Sequence, residues 1–522
     1  MLPEWTLFHL LQNAAERSPD QIAIVDDDKS TYTYGQLQQA SARLAHCLRA
    51  HRVQRGDRVG VYVEKSFEAL VAMTACAHAG AVYVNINPVL KGAQVGHILK
   101  NCGARQLIID GDKLAREQLP SIDVAYVRGE LPTEMAEGPE LVSLAEVFRN
   151  GPALEPRTRS TESDLGTIIY TSGSTGLPKG IMLSHHNIVV GAQIVSTYLE
   201  NTAADRILSV LPLTFDVGMN QFTTMLRVGG TLVVQRSLLP GDTLANLREE
   251  RITGLAGVPS VWALLLQNKK SLQREPLTEL RYISNTGGTI PSTHLELLRA
   301  VLPSTQIFLM YGLTEAFRST FLPPSEVQRG SQCIGKAIPD TDIWVVRPDG
   351  TETADDEEGE LIHRGPTIAL GYWGDPEKTR SVYRVNPFAP PELNGTDMVV
   401  YSGDVVRRDA EGFLHYVGRR DEQIKTQGYR VSPLEIEELL YGTGKVHEAA
   451  AFGKKDELLG QRIVAICSLR EGTTVTVEEL RQLVSTRAPA HLVPQELHLV
   501  TELPKNANGK TDRSLLRGQY AK

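Results

Sequence analysis

The sequence predicts an α/β protein in two parts. The larger is an N-terminal domain of βαβ units forming largely parallel sheets with a β-rich subdomain; the smaller is an α+β domain at the C-terminal end. Three observations carry this. Short apolar runs alternate with stretches of helical periodicity over residues 21–310, the pattern of strands and crossover helices on a parallel sheet. From about residue 340 the texture changes to short strands and turns. After Gly418 comes a compact mixed tail of about 100 residues, the size of one small domain. The expected division is 1–420 and 421–522.

Taken in order, residues 7–17 form a helix, 21–25 and 31–34 are strands around an acidic turn, and 37–50 is a second helix. A strand at 57–63 leads to a helix at 66–79, then strand and turn at 80–88. Residues 111–160 are rich in Pro, Glu and Gly with one helical candidate, 142–148, and read as a surface connection. The alternation resumes with strands at 207–211, 231–234, 252–258, 281–284 and 306–310, and helices at 217–226, 244–251, 261–266 and 294–301. Strands 343–346 and 360–363 flank the acidic run 355–358, a solvated hairpin loop. The tail reads as helix 433–441, strands 448–452 and 462–469, helix 477–486 and strand 496–500.

Bulk properties narrow the class. A chain of 522 residues is too long for one core. Hydrophobic content of 41% and charged content of 22% are ordinary for a globular enzyme. A formal net charge of −8 argues against a nucleic-acid partner. No apolar run approaches the roughly 20 residues of a membrane span. Residues 1–5 lack the basic and apolar regions of a signal peptide. The five cysteines show no CxxC spacing and an odd count, which fits reduced packing residues in the cytoplasm.

The stretch with the most chemistry is Thr171-Ser172-Gly173-Ser174-Thr175-Gly176-Leu177-Pro178-Lys179-Gly180. An apolar strand, 167–170, precedes it, and a helix opened by Ser184 follows. Strand, glycine-hydroxyl loop and helix in that order make a phosphate cradle: glycines permit close backbone approach, hydroxyls donate to phosphate, and Lys179 adds a cation. The nucleotide P-loop places Ser or Thr after its Gly-Lys pair, whereas here Pro178 precedes the lysine and Gly180 follows.

Further motifs fall in a fixed order: Asn285-Thr286-Gly287-Gly288-Thr289, Tyr311-Gly312-Leu313-Thr314-Glu315, Tyr401-Ser402-Gly403-Asp404, Gly418-Arg419-Arg420-Asp421, Gln423-Ile424-Lys425 with Gly428-Tyr429-Arg430, and Pro504 to Arg513 around Lys510. Together with the loop they resemble the adenylate-forming superfamily over about residues 31–513. That group holds acyl-CoA synthetases, luciferase-like enzymes and peptide-synthetase adenylation domains. The resemblance implies ATP and Mg²⁺ as cofactors. It assigns Thr171, Ser172, Gly173, Ser174, Thr175, Gly176 and Lys179 to the β- and γ-phosphates, and Gly287, Gly288 and Thr289 to adenine. Tyr311 would stack on adenine, Thr314 would meet the α-phosphate, and Glu315 would ligate Mg²⁺. Asp404 would accept the ribose hydroxyls, which suits a carboxylate. Arg419 would reach ribose or phosphate, Asp421 would be the hinge of a mobile C-terminal domain, and Lys510 would be the catalytic lysine. Taken alone, the Tyr311 motif also fits a helix cap.

The acid is addressed by Leu211-Pro212-Leu213-Thr214-Phe215-Asp216. Phe-Asp here resembles amino-acid activators, in which the aspartate pairs with the α-ammonium. A carboxylate facing an apolar acyl chain would be costly without a cation. The alternative is that Asp216 only caps the following helix. By spacing, the rest of the pocket is Val217, Asn220, Ala256, Ser284, Thr286, Met310, Arg318 and Ser319, a polar mixture. In Arg318 it hints at a second carboxylate or polar group. The function implied is adenylation of a carboxylic acid, an amino acid by this reading, with transfer to the phosphopantetheine thiol of a carrier protein supplied in trans. Alternatives are an acyl-CoA synthetase using free coenzyme A and an inactive relative serving as a binding subunit.

Overall fold

The computed structural model describes all residues except 1–2, 91, 117–118, 120–121, 133–137, 156, 172–177, 238, 394, 421, 427–428, 457–458, 507–508 and 521–522. Three sheets organise it. The first runs from strand Thr31–Thr33 through Ile22–Val25, Thr231–Val234, Arg206–Ser209, Gly254–Gly257, Tyr282–Asn285 and Gln306–Leu313. These pairings are parallel except at the Thr31–Thr33 edge. From Gln306–Leu313 the sheet continues antiparallel through Ala316–Leu322 and Cys333–Ala337 into the strands of residues 342–419, the predicted β-rich part.

The second sheet has eight strands and is parallel from Leu165–Thr171 to Glu140–Ser143. Here residues 111–160 depart from expectation. Val124–Arg128 and Glu140–Ser143 are sheet strands, and Leu144–Asn150 is a helix capped by Ser143. Strands this short, set among Pro, Glu and Gly, are stabilised by pairing with Gln106–Asp110 rather than by their own pattern.

One core fills the space between these sheets. Helices Leu7–Arg17, Tyr34–Ala50, Phe67–Ala79, His185–Tyr198 and Asp216–Val228 pack there against Val59, Val61 and Tyr83 of one sheet and Ile24, Ile207 and Leu232 of the other. Phe67–Ala79 is buried on nearly every side, which explains why its sequence is apolar all round rather than striped. Helices Pro240–Glu249, Pro259–Gln267 and Ser292–Val301 cover the far face of the first sheet.

The C-terminal part has its own five-stranded sheet and its own core around Ile436, Leu440, Ile463 and Leu480. All five predicted elements are present there, as Pro433–Gly442, Val446–Asp456, Gly460–Leu469, Val477–Ser485 and Glu496–Val500. Among the described residues no helix is long and apolar enough to cross a membrane.

Candidate active site

The strand before the phosphate loop, Leu165–Thr171, pairs antiparallel with Lys179–Ser184, and Thr171 faces Lys179 across the ladder. The loop is therefore the turn of a hairpin, not a strand-to-helix turn. The expected helix begins only at His185, capped by Ser184, whose side chain accepts from Asn187 N–H. No helix dipole follows the loop directly, so a phosphate here relies on backbone N–H groups, hydroxyls and Lys179. Ser172 to Gly176 lie outside the described residues, as does Asp421. Gly180 is required by packing, because a Cβ would come within 2.7 Å of Ile168 and 3.2 Å of Tyr170.

The Tyr311 motif is no helix cap. It closes the hairpin of Gln306–Leu313 and Ala316–Leu322, where Leu313 pairs with Ala316 across Thr314 and Glu315. Glu315 is fixed from two sides: its carbonyl accepts from Ala369 N–H at 2.9 Å, and its Oε1 accepts from the Tyr372 hydroxyl at 2.5 Å. Tyr311 donates to Asp404 Oδ2 at 2.5 Å, Tyr416 donates to Oδ1 at 3.4 Å, and Arg419 Nη1 lies 3.3 Å from Oδ1. Asp404 and Arg419 are direct partners on adjacent strands, which explains why motifs far apart in the chain meet. Burial pushes the Asp404 carboxyl up, and the Arg419 charge and tyrosine hydrogen bonds pull it back. Asn285 shapes the glycine segment by donating to Gly288 O at 2.8 Å while accepting from Trp262 Nε1.

Lys510 arrives from the C-terminal part on a tight turn. Its N–H donates to Asn506 Oδ1 at 3.1 Å, and Gly509 takes a positive φ of 76°. Ser260, in the first turn of Pro259–Gln267, donates to Gly509 O at 3.0 Å and seats that turn against the large part. Behind it, Arg513 pairs with the buried Glu437 at 2.7 Å. The lysine Nζ lies 4.9 Å from the centre of the Phe215 ring. Burial lowers the Lys510 ammonium below the usual lysine range, and Asp216 opposes that. Thr171, Gly287, Gly288, Thr289, Tyr311, Thr314, Glu315, Asp404, Arg419 and Lys510 all line one cleft.

Gly287 is where this approach is closest. At φ 70°, a Cβ would meet Lys510 Cε at 2.8 Å and Nζ at 2.9 Å. Gly287→Ala is therefore expected to lower adenylation by about 10- to 100-fold with a folded protein, since displacing a positioned group by about 1 Å costs that much. Pyrophosphate exchange beside a circular dichroism melt checks it.

Asp216 opens helix Asp216–Val228 as its first residue; the N-cap position is Phe215. Its Oδ1 accepts from Val217 N–H at 2.9 Å, a bond to the next residue rather than the cap bond two or three residues on. The capping alternative is not what the side chain does. Burial pushes the Asp216 carboxyl up, opposed first by Arg318 and then by Lys510. The same helix lines a cavity of about 320 Å³ with Val217, Asn220, Gln221, Thr224 and Met225, one face at three- and four-residue spacing. Ala256, Ser284, Met310 and Arg318 join them. Thr286 and Ser319 are buried but do not line it: the Thr286 N–H extends the ladder to Gly257 O, and the Ser319 hydroxyl turns to Ala316 O. Sequence spacing missed Asn201, Gln221, Thr224 and Tyr282. The run of polar residues on the inward face of an otherwise apolar helix was the signal for Gln221 and Thr224.

This site, a nucleotide-sized cleft closed by a lysine from a separate small sheet, belongs to a ligase-type ATP fold. Comparison with known proteins makes the class definite. The AMP-binding enzyme family matches residues 11–373, and its C-terminal domain matches 435–510, so the chain belongs to the AMP-binding, adenylate-forming enzymes. It is 30% identical over 509 residues to a linear gramicidin synthase of Brevibacillus parabrevis, covering 97% of this chain but only 6% of that protein. Relatives of matching length include an L-proline–[L-prolyl-carrier protein] ligase of Pseudomonas fluorescens, 30% identical over 98% of this chain and 99% of the relative. Another is an indoleacetate–CoA ligase of Aromatoleum aromaticum, 31% identical over 100% and 98%. Among solved structures, o-succinylbenzoate coenzyme A synthetase from Bacillus subtilis with ATP and magnesium superimposes with a TM-score of 0.81 at 25% identity, covering 99% of both chains.

Proposed function

We propose that this chain is an ATP-dependent, AMP-forming ligase that adenylates an amino acid and passes it to the phosphopantetheine thiol of a carrier protein. The observation that carries the reading is the buried Asp216 carboxylate, placed between Lys510 and a small closed cavity. A buried carboxylate needs a cation, and a substrate ammonium supplies one.

In the first step a substrate carboxylate oxygen attacks the α-phosphorus of ATP in line. The new acyl–O–P bond forms as the bond to the bridging oxygen of the β-phosphate breaks, and pyrophosphate leaves. Lys510 holds the carboxylate and α-phosphate together and balances charge as it gathers, and Thr314 donates at the same phosphate. Tyr311, Asp404 and Arg419 position the nucleoside. Among the described residues no group of three or more His, Cys, Asp and Glu side chains could hold a metal alone. The single carboxylate of Glu315 therefore fits Mg²⁺ taking its other oxygens from phosphates. Mg²⁺ would neutralise phosphate charge. In the second step the part beginning near residue 421 turns about Asp421, withdraws Lys510 and admits the thiol, which attacks the acyl carbon and releases AMP. Free coenzyme A is the second candidate for the thiol, because the relatives include a CoA ligase of matching length.

ATP–pyrophosphate exchange across a panel of amino acids and plain carboxylic acids tests the reading. Exchange is expected with an amino acid at a rate at least about 100-fold above its des-amino analogue, the discrimination a buried charged partner provides. Exchange confined to fatty or aryl acids would reject it.

A further inference from the structure

We infer that the acid activated here carries a second anionic group, that Arg318 binds it inside the cavity, and that the substrate is an amino dicarboxylic acid. This rests on the adenylation reading above and narrows its substrate class.

Arg318 is 2% exposed and lines the cavity beside Asn220 and Ser284. A guanidinium is always charged and offers five donors. Yet among the described residues Arg318 forms no ion pair, and its Nε has no hydrogen-bond partner. Burying such a charge unpaired costs stability, so a fold keeps it where a ligand completes it. A backbone irregularity aims it inward. The ladder between Gln306–Leu313 and Ala316–Leu322 slips between Tyr311 and Leu313, placing 317–319 opposite Gly312 alone. All three of those residues are buried, where a regular strand would turn the middle one the other way.

Other unpartnered buried atoms converge on the same cavity: Ser284 Oγ, Thr224 Oγ1 and Gln221 Oε1. Two hydroxyls beside a guanidinium make a donor set for a carboxylate. Asp216 does not serve as that anion. It lies close enough for the two charges to act on each other but not at ion-pairing distance, and its Oδ1 is held by Val217 N–H. The fixed charges are then one anion, Asp216, and two cations, Arg318 and Lys510. An amino dicarboxylate offers one ammonium and two carboxylates, so each charge meets its opposite. A neutral amino acid leaves Arg318 unmatched, and a plain dicarboxylic acid leaves Asp216 unmatched.

The test is pyrophosphate exchange by the full chain with aspartate, glutamate and α-aminoadipate, each against its amide or des-carboxy counterpart, plus succinate and glutarate. The expected result is a kcat/KM for one amino dicarboxylate about 100-fold above its neutral counterpart, the rejection found when a site's buried polar groups go unpaired. Arg318→Met should erase that ratio without lowering Tm, and Arg318→Lys should retain part of it. Arg318→Gln replaces the methionine variant should that fail to fold. A wild type that favours the neutral counterpart, or an Arg318→Met protein that keeps the ratio, overturns the inference. If no acid supports exchange, thermal shift with the same acids decides. Stabilisation by an amino dicarboxylate that disappears in Arg318→Met upholds the Arg318 site and rejects adenylation instead; no stabilisation overturns the site.

Discussion

Replacing Lys510 by alanine is expected to lower acid-dependent pyrophosphate exchange by roughly 10²–10³-fold or more, the cost of removing one preorganised group at a developing charge. The same variant should convert supplied acyl-adenylate and thiol to thioester at close to the wild-type rate. The two halves separate because the lysine sits on the small C-terminal sheet yet reaches the large part's cleft only through the Ser260–Gly509 contact and the space left by Gly287. Once the turn is withdrawn, Lys510 has no role in thiol attack. Its ammonium also sets a pH limit. Only the protonated form balances charge, and burial holds its pKa below the ordinary lysine range. Exchange should therefore fall on the alkaline side earlier than a free lysine would dictate. Lys510→Arg, which stays protonated, should move that limb upward at reduced rate. Normal exchange in the alanine variant would remove Lys510 from the site.

How much of this was legible depended on whether local pattern or distant pairing decided the outcome. Residues 7–17 fold as the helix their spacing predicts, with the same ends, because an amphipathic stripe needs only a neighbouring core. Residues 179–184 show the opposite case. A cradle expectation passes over an apolar strand lying between loop and helix, and the pairing of Thr171 with Lys179 makes it one. Motif residues such as Tyr311 and Asp404, 93 positions apart, are recognisable as types, but their hydrogen bond depends on a ladder no local window contains. Arg318 is recognisable as an oddity in the pocket. That it is buried follows from a slip in strand register, which leaves no mark on the sequence beyond Gly312. Gly218 is similar: a Cβ there would come within 2.1 Å of Pro212 O, so the Pro212–Asp216 turn closes tightly onto the helix that carries Asp216.

Asp216→Asn is expected to cut amino-acid-dependent exchange by about 10²–10³-fold, because it leaves a substrate ammonium buried without its anion, a loss of about 3–5 kcal/mol. The des-amino analogue should lose far less or gain, since an amide tolerates an apolar neighbour at lower cost than a carboxylate. The pH dependence has a definite sign. Asp216 must be ionised to hold the ammonium, and burial raises its pKa above the ordinary carboxylate range despite Arg318 and Lys510. Amino-acid affinity should therefore weaken as pH falls through that raised value, and the limb should vanish in Asp216→Asn. Lys510 fails in the other direction, so working pH is bounded by two groups that act on each other: neutralising either shifts its partner. In Asp216→Asn the lysine loses the charge that raises its pKa, and the alkaline limb should move down as the acid limb disappears. Titrating exchange in both single variants and the double measures that coupling directly. Limbs that move independently would mean Asp216 and Lys510 do not share a substrate, whereas a correlated shift ties the amino-acid end of the pocket to the residue that performs the adenylation.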